Sequence, residues 1–338
     1  MVLIICRRHK GQVFTYINMK HIFLLLFSLV ALSLQAQNVV HSAEEGQLLL
    51  ADPFVLEDDG WYYIYGTHVA DGIVVYRSRD MREWSDRCGN AKNQLALHKD
   101  DVWGDKWFWA PEVYKVGDRY IMTYSAQEHI CYAEAASPCG PFLQKEQRPY
   151  LPREKGIDSS FFFDDDGKVY IYWVHYANYG IWVAELSDDL QRVRMESARL
   201  ILQPRKNTWE WVEGRISEGP AVIKHKGKYY LTYSCNDYQS KDYAVGVAVA
   251  DSPMGKFHRL NGNPILHRHA DYVGTGHHTI LQTKRGLYIV FHAHNSDEAV
   301  HPRQTLIAPI RFKRDRTAGS KMYRLRVGKR LIIPKVVK

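Results

Sequence analysis

The sequence lacks the features that mark several common classes of protein. It has five cysteines in 338 residues and no Cys-X-X-Cys pair, so we expect neither a structural zinc site nor a dithiol redox site. Its longest apolar run, residues 22–34, is shorter than the ~20 residues that a transmembrane helix needs. No later segment carries a sustained helical period, which favours an all-β chain.

The net charge of +8 comes from the two ends of the chain. Residues 311–338 contain eleven Lys or Arg and one acid, and residues 1–21 contain four basic residues. Without these two ends, the remaining chain has a net charge of −6. Because a nucleic-acid-binding protein carries its positive charge on the folded face, we expect no nucleic-acid partner.

The N-terminal region has the pattern of an export signal. A short basic start at Met19 and the apolar run are followed by Gln35-Ala36-Gln37, so residues 19–37 are predicted to be a cleaved signal peptide. Residues 1–18 would then be a spurious extension before the true start. The alternative is a lasting N-terminal anchor. We expect export to a periplasmic or extracellular location, without stable membrane insertion after cleavage.

Export would place the remaining cysteines in an oxidising compartment. Such a compartment permits disulfide bonds, but the sequence does not prescribe their pairing. Two of these cysteines are close enough in sequence to pair across a turn. The four are Cys88, Cys131, Cys139 and Cys235, and the close pair is Cys131 with Cys139.

The sequence is rich in a fivefold repeat with many aromatic residues. Each copy has a short strand-like segment, a turn glycine and a second run of aromatic and β-branched residues. The turn glycines recur every 50 to 60 residues, at Gly60, Gly117, Gly167, Gly227 and Gly286. Five copies of this kind predict a five-bladed β-propeller. We expect one catalytic domain over residues 44–314, followed by a basic tail, residues 315–338, whose structure the pattern leaves open.

Acidic residues stand at the head of three of the five copies, at Asp52, Asp158 and Glu218. The first strand of each propeller blade lines the central channel, so these three carboxylates should converge. An Asp in such a segment is also common in turns, but Glu is a poor turn former. Two carboxylates that flank one bond are how glycosides are hydrolysed. The pattern therefore predicts a glycosidase.

Five motifs in this order resemble the family 43 glycoside hydrolases over about residues 48–312. They are Ala51-Asp52-Pro53, Trp109-Ala110-Pro111-Glu112, Ile157-Asp158, Ser217-Glu218-Gly219-Pro220 and Gly276-His277. The resemblance implies a propeller that hydrolyses arabinose- and xylose-containing glycans with inversion of configuration. It also implies that Asp52 is the general base, Glu218 the general acid, and Asp158 the group that tunes the pKa of the acid and orients the sugar.

The same resemblance implies three further contacts with substrate. Trp109 would form an aromatic wall, Arg303 would bind sugar hydroxyls or tune the acid, and His277 would stand in the channel. In some members this histidine helps to hold a calcium ion or an ordered water. The sequence therefore leaves open whether a calcium ion binds in the channel, although no cofactor is required. A hydrogen-bonded channel histidine without metal is the preferred alternative, because calcium prefers oxygen ligands. The side chain of His278 should point to the opposite face of the strand from that of His277.

We therefore expect an inverting glycosidase that releases terminal pentoses from plant-type polysaccharides or oligosaccharides. α-L-Arabinofuranose is the preferred sugar and β-D-xylose the second. A β-galactofuranosidase or an endo-arabinanase would use the same catalytic set. The alternative from another class is a non-catalytic glycan-binding propeller, which would not need all three acids.

Overall fold

A computed structural model describes residues 42–315 and 322–337. These residues form five sheets, which confirms the predicted all-β, five-bladed propeller. The described part of the chain contains no α-helix, and its three 3-10 turns are Lys92–Gln94, Lys99–Asp101 and His269–Asp271. Within the same ranges no helix is long and apolar enough to cross a bilayer. The predicted extension 1–18 and signal peptide 19–37 lie outside the described residues.

Each blade is a meander of antiparallel strands. Blade 1 contains β1 to β4, at Ala51–Asp58, Trp61–Val69, Gly72–Ser78 and Glu83–Trp84. A two-residue strand, β5 at Leu97–His98, pairs with β3. Blade 2 has three strands, β6 to β8, at Trp109–Val116, Arg119–Ala126 and His129–Ala135.

Blades 3 to 5 have four strands each. Blade 3 contains β9 to β12, at Gly156–Phe163, Val169–His175, Gly180–Leu186 and Val193–Leu202. Blade 4 contains β13 to β16, at Ser217–His225, Lys228–Cys235, Ala244–Ala250 and His258–Arg259. Blade 5 contains β17 to β20, at Gly276–Thr283, Gly286–Ala293, Gln304–Arg314 and Tyr323–Val327. The first strands of the blades, β1, β6, β9, β13 and β17, contact one another in a closed ring.

The aromatic second strands are buried on both faces because every blade packs between two neighbours. Side chains alternate across a strand, so Ile64 of β2 enters the core shared with blade 5, whereas Tyr65 enters the core shared with blade 2. The described residues form five such cores, one between each pair of adjacent blades. This packing explains why most residues of the second strands are apolar or aromatic instead of alternating regularly with polar residues.

The repeat glycines lie at the hairpins between first and second strands. All five have positive φ angles, between 60° and 133°, at Gly60, Gly117, Gly167, Gly227 and Gly286. Such angles are strained for residues with a Cβ atom, so glycine is the residue that the turn requires. The spacing of the glycines therefore reports the spacing of the blades.

The predicted boundary at residue 314 is too early, because the basic tail contributes to two blades. Its β20 strand is the edge of blade 5, where Leu325 is buried and its flanking arginines are less so. The strand β21, Lys335–Val336, then pairs in parallel with β4 at the outer edge of blade 1. The alternation of apolar and basic residues is thus that of a half-exposed edge strand.

Candidate active site

Each first strand has a β-bulge near its start. The pairing with the second strand shifts register there in all five blades. One residue per bulge is in the left-handed region, with φ between 35° and 57°: Asp52, Ala110, Asp158, Gly219 and His277. Bulges re-aim side chains, and Asp and His are among the residues that tolerate this region. The bulges therefore account for the orientation of three of the predicted site residues.

A side chain from the preceding blade supports four of these bulges. It stands near the end of the second strand of that blade and accepts a hydrogen bond from the backbone N–H of the left-handed residue. Ala110 donates to Thr67 at 2.9 Å, Asp158 to Ser125 at 3.1 Å, His277 to Ser234 at 2.8 Å and Asp52 to His292 at 3.1 Å. Assembly of neighbouring blades therefore orients the site residues.

The junction of blades 3 and 4 is different because Val174 occupies the equivalent place, opposite Ile157. A valine side chain cannot accept a hydrogen bond. The backbone N–H of Gly219 donates instead to Oδ2 of Asp158, at 3.2 Å. Because Val174 cannot accept a hydrogen bond, the N–H of Gly219 is available to Asp158, one of the three carboxyl groups.

Asp52 is the carboxyl group with the most positive surroundings. Its Oδ1 accepts a hydrogen bond from Arg303 at 3.0 Å and lies 3.3 Å from the Nδ1 atoms of His277 and His292. Its Oδ2 accepts a hydrogen bond from the Thr67 hydroxyl at 2.7 Å. Burial raises the pKa of Asp52, but Arg303 and the two imidazoles outweigh it and hold the pKa well below its usual range. Asp52 is therefore ionised at neutral pH.

Glu218 has the opposite electrostatic character. Its side chain is buried, and its Oε1 accepts a hydrogen bond from the Tyr243 hydroxyl at 2.6 Å. Burial is the largest cause that raises the pKa of Glu218 to about 7; the charges of Asp52 and Asp237 add to the rise, whereas the Tyr243 bond and Arg303 oppose it. Glu218 therefore retains its proton in mildly acidic solution.

Asp158 is the third buried carboxyl group. Burial is the first cause that raises its pKa well above the usual range, and the charges of Glu218 and Asp52 add to this rise. Its Oδ2 lies 3.5 Å from Nδ1 of His277, in addition to the Gly219 contact. Burial therefore favours the neutral form of Asp158 beside the Asp52 anion, and the influence of Asp158 on the acid stays a prediction.

All six predicted site residues line one cavity of about 660 Å³. They are Asp52, Trp109, Asp158, Glu218, His277 and Arg303. The ring of Trp109 stacks on that of Trp107, with 5.6 Å between centroids and 18° between planes, and Trp107 is 44% exposed. A sugar ring presents both apolar faces and hydroxyl groups, so it suits a cavity with convergent polar groups beside an aromatic wall.

Comparison with known proteins decides the family. Residues 46–318 match the model of the glycosyl hydrolases family 43. The chain belongs to this family. It is 26% identical to a β-D-galactofuranosidase of Aspergillus niger, over 78% of this chain and 79% of that protein. It is also 26% identical to a β-xylosidase of Xylanibacter ruminicola, over 72% of this chain and 87% of that protein. A solved endo-1,4-β-xylanase of Bacteroides thetaiotaomicron is 37% identical, with a TM-score of 0.79, and covers 88% of this chain and 100% of its own.

The channel beneath the bulges of this family 43 propeller offers little for a calcium ion. A space of about 10 Å³ is lined there by Glu112 and His277, and this volume suits about one water molecule. Nδ1 of His277 already faces Asp52 and Asp158, and burial raises the pKa of Glu112 to about 8. In residues 42–315 and 322–337 no group of three or more His, Cys, Asp or Glu side chains is placed to hold a metal ion. These residues do not form the oxygen cage that calcium prefers, and the ion stays a prediction.

Three residues that contact the carboxyl groups, Thr67, Tyr243 and His292, were not predicted from the sequence. A sequence pattern could have pointed to Thr67 and His292, because each stands near the end of an aromatic second strand, as Ser125 and Ser234 do in other blades. No pattern points to Tyr243, because it precedes β15 and reaches Glu218 only through the fold. Outside the carboxyl cluster, the ring of His278 bonds to Thr232 at 2.7 Å.

A larger hollow of about 860 Å³ lies at the outer edge of blades 2 and 3. One of its acids, Glu134, already bonds to Tyr132 and Gln191 and pairs with Arg119. Its other walls include the exposed side chain of Glu146. The hollow therefore lacks the opposed, buried carboxyl groups that distinguish the smaller cavity.

Proposed function

We propose that this protein is an inverting glycosidase that releases terminal pentoses, with Asp52 as the general base and Glu218 as the general acid. One observation carries the proposal: two buried carboxyl groups with oppositely shifted pKa values line the same cavity. Pairs of titratable groups whose environments push their pKa values apart are typical of acid–base catalysis. The pKa values leave the base ionised and the acid protonated in the same pH range.

In the proposed reaction, Asp52 accepts a proton from a water molecule whose oxygen attacks the anomeric carbon. Glu218 donates its proton to the glycosidic oxygen, and the bond between that oxygen and the anomeric carbon breaks. Attack on the face opposite to the leaving group inverts the configuration. Asp52 then holds one proton more and Glu218 one fewer, and exchange with solvent restores both groups.

The remaining site residues support this division of roles. Arg303 and His277 stabilise Asp52 as an anion, which keeps it able to accept a proton from water. In its neutral form, which burial favours, Asp158 can donate a hydrogen bond to a sugar hydroxyl, and this fits the orienting role that we propose for it. Trp109 supplies the aromatic wall for the sugar face.

α-L-Arabinofuranose is the sugar that we propose first. The A. niger relative is a β-D-galactofuranosidase, and α-L-arabinofuranose has the same ring configuration as that sugar without its terminal carbon. β-D-Xylose is the second candidate, because other similar proteins are a β-xylosidase and an endo-1,4-β-xylanase. β-Galactofuranosidase and endo-arabinanase activities would use the same carboxyl groups.

We also propose that the protein is exported and meets oligosaccharides or polysaccharides outside the cytoplasm. The support is the signal-like sequence of residues 19–37. Detection of a mature N terminus near residue 38 in the exported fraction would test this, and a retained N-terminal segment in that fraction would contradict cleavage.

The proposal is tested by release of nitrophenol from α-L-arabinofuranoside and β-D-xyloside substrates. We expect Glu218→Gln and Asp52→Asn each to lower kcat on arabino- or xylo-oligosaccharides by roughly 10²- to 10⁴-fold with the fold unchanged. Glu218→Gln should lose less on the nitrophenyl substrates, because nitrophenolate needs less protonation than a sugar leaving group. Glu146→Gln, an exposed acid outside the cavity, is the matched control and should retain the wild-type rate. Wild-type rates in both site variants would contradict the assignment. Binding of arabino- or xylo-oligosaccharides without any hydrolysis would support the glycan-binding alternative.

A further inference from the structure

Two of the cysteines meet at the junction of blades 1 and 2. The Sγ atom of Cys139 lies 3.3 Å from that of Cys88, 51 positions away in sequence. The other two cysteines that the structure describes, Cys131 and Cys235, are fully buried in β8 and β14. The fold therefore brings Cys139 to Cys88 rather than to Cys131, its neighbour in sequence.

Backbone hydrogen bonds fasten both loops beside the two sulfur atoms. The N–H of Cys88 donates to the carbonyl of Val75 at 3.0 Å, and the N–H of Asn90 donates to the carbonyl of Cys139 at 2.8 Å. The side-chain amide of Asn90 also donates to the carbonyl of Gly140 at 2.8 Å. A movement of about 1 Å would bring the sulfur atoms from their present separation to the length of a disulfide bond.

We propose that Cys88 and Cys139 form a disulfide bond in an oxidising compartment, and that this bond joins blades 1 and 2. The oxidant is an external disulfide, such as oxidised glutathione or a disulfide oxidoreductase. The Cys139 thiolate attacks one sulfur of the external disulfide and expels a thiol, and the Cys88 thiolate then attacks the sulfur of Cys139 and expels the second thiol. Two protein thiols lose their protons and become one disulfide, while the external disulfide is reduced to two thiols.

The contact between the two thiols distinguishes this pair from the other cysteines. The thiol of Cys139 donates a hydrogen bond to the sulfur of Cys88 at 3.3 Å, so either thiolate would find the other sulfur within reach. Cys131 is fully buried, and burial raises its pKa to about 12, so it should not compete.

The test is peptide mass mapping of the full chain after incubation with oxidised glutathione, acid quenching and alkylation in denaturant. We expect a linked pair of peptides containing Cys88 and Cys139, while Cys131 and Cys235 are alkylated. Oxidation should also raise the melting temperature by roughly 5 °C, and Cys88→Ser should abolish this rise. Alkylation of both Cys88 and Cys139, or a link that includes Cys131, would overturn the proposal. The mapping uses the wild-type chain, so it tests for the Cys88–Cys139 disulfide even if the Cys88→Ser variant folds poorly.

A second, independent observation concerns the acid and rests on the proposed function. Tyr243 donates a hydrogen bond to Oε1 of Glu218 at 2.6 Å, and its ring stacks on His292 with 5.7 Å between centroids and 11° between planes. His292 in turn lies 3.3 Å from Oδ1 of Asp52. Tyr243 therefore contacts the acid directly and the base through one intervening ring.

Gly276 provides the space for this tyrosine. A Cβ atom at position 276 would lie 2.1 Å from Cε1 of Tyr243, so any side chain there would displace the ring. We infer that Tyr243 is the positioning residue of the acid: its hydroxyl occupies Oε1 of Glu218 and leaves Oε2 to present the proton to the substrate. The glycine at position 276, next to His277, leaves the space that the tyrosine ring occupies.

Tyr243→Phe tests this inference through the pH profile of kcat/KM. Loss of a donor to the carboxylate raises the pKa of Glu218, so the basic limb should move up by roughly one pH unit, and kcat should fall. Tyr233→Phe is the matched control, because Tyr233 is also buried and donates to the carboxylate of Glu210 at 2.7 Å. The basic limb of the control should stay in place.

The outcomes separate this inference from the function on which it rests. A basic limb that Tyr243→Phe leaves unmoved, or that Tyr233→Phe moves equally, would overturn the positioning role alone. A wild-type protein that hydrolyses no glycoside would overturn the proposed function and this inference together.

Discussion

Three carboxyl groups that share one cavity would repel one another if all of them were ionised. Arg303 and two imidazoles surround Asp52, whereas burial dominates the environments of Asp158 and Glu218. Among these three groups, the surroundings therefore favour the ionised form of Asp52 and the protonated forms of Asp158 and Glu218 in mildly acidic solution. This arrangement is the one that an acid–base pair needs before substrate binds.

We predict that kcat/KM is level in mildly acidic solution and falls above about pH 7. As the pH rises through the pKa of Glu218, about 7, the acid loses the proton that it must donate. The acidic limb should lie below the usual range of an aspartate, because Asp52 keeps its charge there. A quenched nitrophenyl glycoside assay at constant ionic strength measures both limbs. An activity that rises steadily between pH 6 and pH 8 would be incompatible with Glu218 as the acid.

Thr67 links the base to the neighbouring blade, and its removal gives the next prediction. Its hydroxyl donates to Asp52 and accepts from the N–H of Ala110. Thr67→Val keeps the shape and removes both bonds, so we expect kcat/KM to fall by roughly tenfold or more, because hydrogen bonds to charged groups are stronger than average. Thr67→Ser should restore most of the rate. Equal losses in the two variants would show that packing, not the hydroxyl, is what matters.

At the scale of strands, the bulges determine which backbone groups face the cavity. Val174→Thr would place a hydroxyl near the N–H of Gly219, as Thr67 does for Ala110 in blade 2. We expect this hydroxyl to compete with Asp158 for the donor and to lower kcat/KM by roughly tenfold. Val183→Thr is the control, since Val183 is equally buried in the same blade. A similar loss in both variants, measured beside their melting temperatures, would refute competition at Gly219.

Some features of these strands could be predicted from the sequence and others could not. Hairpins require positive φ angles, so glycine spacing predicted the blades, and the acids at the heads of first strands were predicted to converge. Tyr243 and the Cys88–Cys139 contact could not be predicted, because each joins segments through the packing of the fold. The end of the propeller was misplaced because a short, basic edge strand such as β20 resembles a tail when its partner strand is unknown.

At the scale of the whole molecule, the C-terminal segment fastens the ring of blades. Val336 donates to the carbonyl of Gly46, Leu48 donates to that of Pro334, and β21 pairs with β4. We expect deletion of residues 330–338 to lower the melting temperature by roughly 5 °C while activity at 25 °C is retained, because the deleted residues lie outside the cavity. An unchanged melting temperature would show that the segment contributes nothing to ring closure.

The most direct test of the acid and base assignment compares two leaving groups in two variants. The dinitrophenolate of a dinitrophenyl glycoside leaves without protonation. The sugar leaving group of an oligosaccharide needs the proton of Glu218. We predict that Glu218→Gln loses most of its activity on the oligosaccharide but little on the dinitrophenyl glycoside, and that Asp52→Asn loses both. Equal losses by Glu218→Gln on the two substrates, or a selective loss by Asp52→Asn, would contradict the roles proposed for these carboxyl groups.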